Sequence, residues 1–377
     1  MILKNSILYA LMALAIVSCK KEEGDDTTTP TPQTLTVPSF YDSSSYISNI
    51  QPVTSVRTQM DALVTEIKKG RVTANTLTAS GVNTIYTTGA VSVQSITSAF
   101  YNTELTATGG WFETIATASG NTYHPDSTSV NGGTFGGYLF DENGFEPEQL
   151  IEKGLFGAAL MNKAAGLISG STVTQQQIDQ SIYIFGASPS FVNSGTAAKY
   201  GTSADKYFAN YTSRRDKNDG TGYYTKMAYN YMKLQAAVKA GSTFDGERNN
   251  AVATIKLSWE KANAGTVINY CYSSLSKLTA TTMTDADKAS SLHAINECIG
   301  FVKGWKSLTN GKLITDTQID EVYALLAPNN KPSLFITDRV NKANNLQLAI
   351  TKLQTIYGFT AGELEDFKKN WVAEQSR

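Results

Sequence analysis

The stretch from Thr284 to Leu308, TDADKASSLHAINECIGFVKGWKSL, constrains this chain more than any other, because it reads as a helix that needs burying on nearly every side. Thr284 and Asp287 form a capping-box pair, with Asp in place of the usual Glu or Gln, and the acidic first turn suits the positive end of the helix dipole. Leu292, Ile295, Ile299 and Val302 recur at helical spacing, and Phe301, Trp305 and Leu308 carry the apolar surface round the cylinder. A helix lying on a surface has no use for that second apolar face, so other helices must pack around this one. His293 and Glu297, four residues apart, share one side of it, and Gly300 and Gly304 continue that stripe and let a neighbouring backbone come close.

The neighbours are visible as further helical patterns. Over 53–69, Val56, Met60, Leu63, Val64 and Ile67 fall on one face before Gly70. Residues 71–143 are Thr-, Ser- and Gly-rich; the spacing predicts a helix over about 93–118 and a loop at NGGTFGGY from Asn131. A central helix is expected over 146–168, with Pro147 at its first position, acidic opening turns, and Gly154, Gly157, Ala158, Ala159 and Ala164 permitting close packing. Further helices are expected at about 174–185, 203–214, 221–240 (Tyr223, Tyr224, Tyr229 and Tyr231), 247–274, 315–326, 337–357 and from the Thr360/Glu363 box onward. No strand pattern competes over comparable length. The fold class is all-α, with about ten helices.

The N-terminus sets the expected location. Lys4, an apolar run from Ile7 to Val17 and Ser18-Cys19 read as a cleaved bacterial lipoprotein signal over 1–18, too short to span a bilayer. Cys19 would carry the lipid, and residues 19–39, charged and then Thr/Pro-rich, form a disordered tether to a helical domain over 40–377. The partner implied is the membrane, through that anchor, and the location is the outer membrane, facing the cell surface or the periplasm. A net charge of −1 gives no electrostatic footprint for nucleic acid. Cys271 and Cys298 remain; a hairpin turning near Thr281 would offset them by roughly 10 Å, which predicts two buried free thiols.

Chemistry is scarce. With only two histidines, His124 and His293, the chain cannot build a three-His zinc site or a His-Glu-x-x-His helix. His124 precedes Pro125 in an irregular segment and is read as a solvated loop residue. His293 and Glu297 invite two readings. In one they hold a metal ion, iron or zinc, with Glu146, Glu148 or Glu152 completing the shell; in the other the imidazole is bonded to the Glu one turn later and fixes helix packing. The sequence requires no cofactor. The tyrosine-rich helix is either core packing or a glycan-stacking surface.

RTQMDALVTEI from Arg57, GFEPEQLIEKGLFGAALMN from Gly144 and LHAINECIGFVKGW from Leu292 together resemble an uncharacterised family of bacterial helical lipoproteins related to imelysin-like proteins, over roughly 40–372. The resemblance implies two packed four-helix bundles with a groove between them, attachment to the cell envelope and a link to iron acquisition. It also implies a peptidase motif, Gly-x-His-x-x-Glu, from which this chain departs: Ser291 stands for the Gly, and Glu297 comes one residue late after His293. Relatives carry a Trp-Asp-Glu cluster where this chain has Ser181-Ile182-Tyr183 ahead of Phe185-Gly186. The function expected is an envelope-anchored binding or scaffold lipoprotein with an unidentified protein, metal or glycan ligand. The alternatives are a metal-dependent peptidase centred on His293 and Glu297, and a glycan or protein adhesin.

Overall fold

The helix expected from Thr284 is the Asp285–Lys303 helix of the structure, a computed structural model that describes residues 33–126, 129–196 and 204–377. Its capping box is present in both directions, Thr284 accepting from the Asp287 amide and Asp287 from the Thr284 amide. Leu292, Ile295, Ile299, Phe301 and Val302 are all buried. Each such side chain contributes roughly 1.5–3 kcal/mol by leaving water. The leader, Cys19 and the first part of the tether lie outside the described residues.

One face of this helix lies along the 34-residue helix Asp245–Leu278, which also packs against Tyr207–Arg214, Tyr223–Ala240 and Arg339–Tyr357. Its opposite face crosses Pro147–Leu155, where the two backbones nearly touch. A Cβ on Gly304 would lie 2.4 Å from the carbonyl oxygen of Gly154, one on Gly300 2.6 Å from that of Gln149, and one on Gly157 2.7 Å from that of Gly304. Glycine is therefore required on both sides of the crossing, and residues 147–161 are buried all round. Helices make up most of Leu35–Arg377, which forms one compact all-α unit.

Four expectations need correcting. The helix expected over 93–118 is three short ones, Val93–Ile96, Ala99–Thr106 and Trp111–Ala118, because Ser98 caps a new start and Gly109, at φ +76°, breaks the next. Short pieces like these account for helices beyond the ten expected. The central helix is interrupted by a π-helical segment, Phe156–Met161, before resuming as Asn162–Ile168. The supposed loop from Asn131 contains an antiparallel hairpin, Gly133–Phe135 with Tyr138–Phe140. Gly136 and Gly137, both at positive φ, form its two-residue turn, and its Phe135 and Phe140 pack with Tyr123 on Ala289 and Leu292. Finally, Cys271 and Cys298 are buried free thiols, but their sulfurs are 3.8 Å apart rather than offset by two turns. The interhelical connection centres later than Thr281: Ser274 bonds the Ser291 carbonyl and Cys298 that of Val267, which advances the register by about one turn.

Of the four tyrosines on Tyr223–Ala240, Tyr223, Tyr224 and Tyr231 are in the core and only Tyr229, 51% exposed, faces solvent. That helix presents no row of rings for a glycan to stack on.

Candidate functional site

The glycine crossing puts the charged residues of two helices face to face. Pro147 opens the central helix, and the segment before it is clamped by Asn296, which donates to the Gly144 carbonyl (2.9 Å) and accepts the Glu146 amide (3.0 Å). The Glu146 side chain therefore points at the neighbouring helix, and one carboxylate oxygen lies 2.7 Å from His293 Nδ1. Glu297 is the imidazole's second acidic neighbour, at 3.6 Å from Nε2. The stripe thus faces inward, as its spacing predicts, but the close partner of His293 is Glu146 and not the Glu one turn along.

Two more carboxylates follow on the central helix, and each faces a cation. Arg71 forms a fork on Glu148, through Nε and through Nη2 at 2.9 Å, and its Nη2 also stands 3.6 Å from Glu146. Lys153, only 4% exposed, holds its ammonium 3.1 Å from Glu152 and 3.7 Å from Glu297, while Lys68 approaches Glu152 from outside at 3.8 Å. The Lys153–Glu152 contact is out of line for a hydrogen bond and leaves that oxygen without one, so the pair is held by charge. Four carboxylates thus meet three permanent cations and one histidine. The charges balance when the histidine is protonated.

The titration behaviour follows from that arrangement. Burial opposes the imidazolium of His293, but the charges of Glu146 and Glu297 outweigh it and raise its pKa above the ordinary value. Burial, and then the charge of Glu146, pushes Glu148 up to about 7 against the pull of Arg71. Burial works in the same sense on Glu152, yet Lys153 and Lys68 overcome it and bring its pKa down. Lys153 is held above its usual value by Glu152 and Glu297 in spite of burial.

Aromatic rings close both ends of the network. Tyr138 of the hairpin stacks on His293 at 4.2 Å with 17° between planes, and the same ring lies 5.1 Å from the Arg71 guanidinium. At the other end the Lys153 ammonium lies 5.0 Å from the Tyr211 ring and 5.2 Å from that of Phe156, and the Tyr211 hydroxyl donates to Glu297 at 3.3 Å. Beyond Tyr211 a cleft of about 550 Å³ opens to solvent, with Glu152, Lys153, Phe156 and Tyr211 on its floor and Asp61, Lys68, Lys206 and Arg214 among its walls.

The structure brings all five sequence candidates, His293, Glu297, Glu146, Glu148 and Glu152, into this one network. As a metal shell they fit poorly. Glu148 is taken by Arg71, Glu152 by two lysines and His293 Nδ1 by Glu146, and among the described residues no group of three or more His, Cys, Asp and Glu side chains is placed to hold an ion. At the positions where the resemblance would place an acidic cluster, Ser181 is bonded to the Ala164 carbonyl and the Tyr231 hydroxyl, and Ile182 is core. His124 is half-exposed near Asp126 and Asp285. Sequence reading missed Arg71, Tyr138, Lys153, Tyr211 and Asn296. Lys153 and Asn296 did carry a signal: each is a polar side chain next to a candidate carboxylate, Glu152 or Glu297, in a helix that needs burying. Comparison with known protein families, with curated proteins and with solved structures finds no match for this chain.

Proposed function

We propose that this chain is a binding module of the bacterial cell envelope, anchored by a lipid on Cys19 and receiving a small ligand in the cleft beside Tyr211. The observation that carries the binding half is the cleft itself. At about 550 Å³ it is of the size that encloses small molecules, and its floor is a charge network fixed by two crossed helices rather than by loops. A preorganised polar floor under an open mouth suits recognition. It does not supply a nucleophile with its base, since each acid and base of the network is already paired within it. The lipoprotein half rests on the leader pattern and on the resemblance to imelysin-related lipoproteins, which also suggests a role in iron acquisition.

Changing Cys19→Ala is expected to abolish fatty-acid labelling and membrane retention; a variant that still labels and still sediments with membranes overturns the anchor. For the cleft, Thr65→Trp places a large ring at the exposed mouth without touching the floor. Native mass spectrometry of protein purified from its host is expected to show a small molecule on the wild type and none on the variant. Equal occupancy in both, or none in either, removes the cleft as the binding site.

A further inference from the structure

The cleft also carries information on what kind of molecule it takes. Its acids are all engaged within the chain. Asp61 is paired with Lys206 at 3.0 Å and accepts the Tyr207 hydroxyl, Glu152 faces Lys153 and Lys68, and Asp205, buried behind the wall, accepts the Tyr224 hydroxyl and the Ser194 amide. The cations are not all spent in this way. Arg214 lines the cleft with its guanidinium carbon 4.8 Å from the centroid of the Tyr211 ring, and among the described residues no carboxylate lies within ion-pair distance of it. The neighbouring Arg215 adds to the positive field. Burial, with the charge of Arg214 acting in the same direction, depresses its pKa to about 10, and its guanidinium rests on the Phe367 carbonyl.

A guanidinium laid on an aromatic face keeps its edge free and holds its fork in one plane, the geometry that matches a carboxylate with two parallel hydrogen bonds. We infer that the ligand of this cleft is a small organic carboxylate, its charge seated on Arg214 and its uncharged body lying toward Phe156 and Tyr211 on the cleft floor. Lys153 is not the seat, because its charge is already shared between Glu152 and Glu297, whose carboxylates would repel a second anion placed there. Lys68 and Lys206, exposed in the walls and each with one acidic partner, favour the anion's approach. The inference rests on the binding reading above and narrows it to one ligand class.

The test uses matched probes on the whole chain at fixed ionic strength: benzoate against benzyl alcohol, glucuronate against glucose, and inorganic phosphate, each titrated while the melting temperature is followed. At least one carboxylate is expected to raise the melting temperature saturably while its neutral partner does not. Arg214→Gln should weaken that response at least tenfold, and Arg214→Lys, which keeps the charge but loses the fork, should fall between. Equal responses to the members of a pair, a response to phosphate alone, or a carboxylate response unchanged in Arg214→Gln overturns the carboxylate class. If neutral probes bind and Thr65→Trp blocks them, the carboxylate class falls while the cleft reading stands. If no probe binds and native protein carries no ligand, both fall. Should Arg214→Gln fail to fold, the matched pairs on the wild type and Arg214→Lys still decide the matter.

Discussion

Glu146 takes part in two sets of contacts: its backbone amide fixes the start of the central helix through Asn296, and its carboxylate holds the imidazole of His293. Only the second depends on charge. Glu146→Gln is therefore expected to leave the helix start in place and to lower the pKa of His293, removing the largest influence that raises it. With two histidines in the chain, a proton NMR titration of the imidazole signals reads this directly, and an unmoved His293 would show that Glu146 does not set its charge. The same substitution should cost about 1–3 kcal/mol in urea unfolding, the usual loss when a buried charged hydrogen bond is weakened. Glu146 was visible in the sequence because it sits in a run of acids at a helix start. Arg71 and Tyr138 were not, since they arrive from the start of an irregular segment and from a short hairpin strand whose positions only the packed structure defines.

The crossing of Pro147–Leu155 with Asp285–Lys303 is a contact between backbones. Gly304→Ala would drive a methyl group into the Gly154 carbonyl at 2.4 Å, and neither helix can move without disturbing Glu146, Lys153, His293 and Glu297 together. Overpacking of this kind is expected to cost about 2–4 kcal/mol. Gly246→Ala, on an exposed turn of Asp245–Leu278 with nothing within 4 Å of the new atom, should instead stabilise by about 0.5–1 kcal/mol. Chemical denaturation of the pair checks the sign of each, and a Gly304→Ala protein as stable as the wild type would mean the helices stand further apart. Apolar spacing and caps located most helices correctly, including the boxes at Thr284 and Thr360. The π-helical interruption left no such mark, because Phe156–Met161 is apolar or small throughout and any helical phase buries it.

For the molecule as a whole, four groups lean the same way near neutral pH. His293 lies above its ordinary value near 6.5, so the stability it lends is full below that pH and is lost as the pH rises through its folded value. Glu148 and Asp141, raised to about 7, and Asp205, raised to about 6, are carboxyls whose ionised form burial penalises, and each loses stability on ionising as the pH rises from its unfolded value through the folded one. Groups whose folded pKa is depressed, such as Glu152, gain their stability at lower pH and do not oppose the trend between 6 and 8. The melting temperature is therefore expected to be about 2–5 °C higher at pH 6 than at pH 8, and Glu148→Gln should reduce the difference. A scanning-calorimetry series with no slope, or the opposite slope, would contradict the buried network.

The partners in that network are far apart along the chain: 147 residues separate His293 from Glu146, and 77 separate Glu148 from Arg71. During synthesis the acids of the central helix emerge with Lys68, Arg71 and Lys153 already made, but well before His293 and Asn296. Until Asp285–Lys303 arrives, Glu146 lacks both the imidazole and the Asn296 clamp, and the glycine face of Pro147–Leu155 has nothing to pack on, so the earlier segments gain little by closing on themselves. The first half of the chain is therefore expected to close only once the segment that completes it has been made.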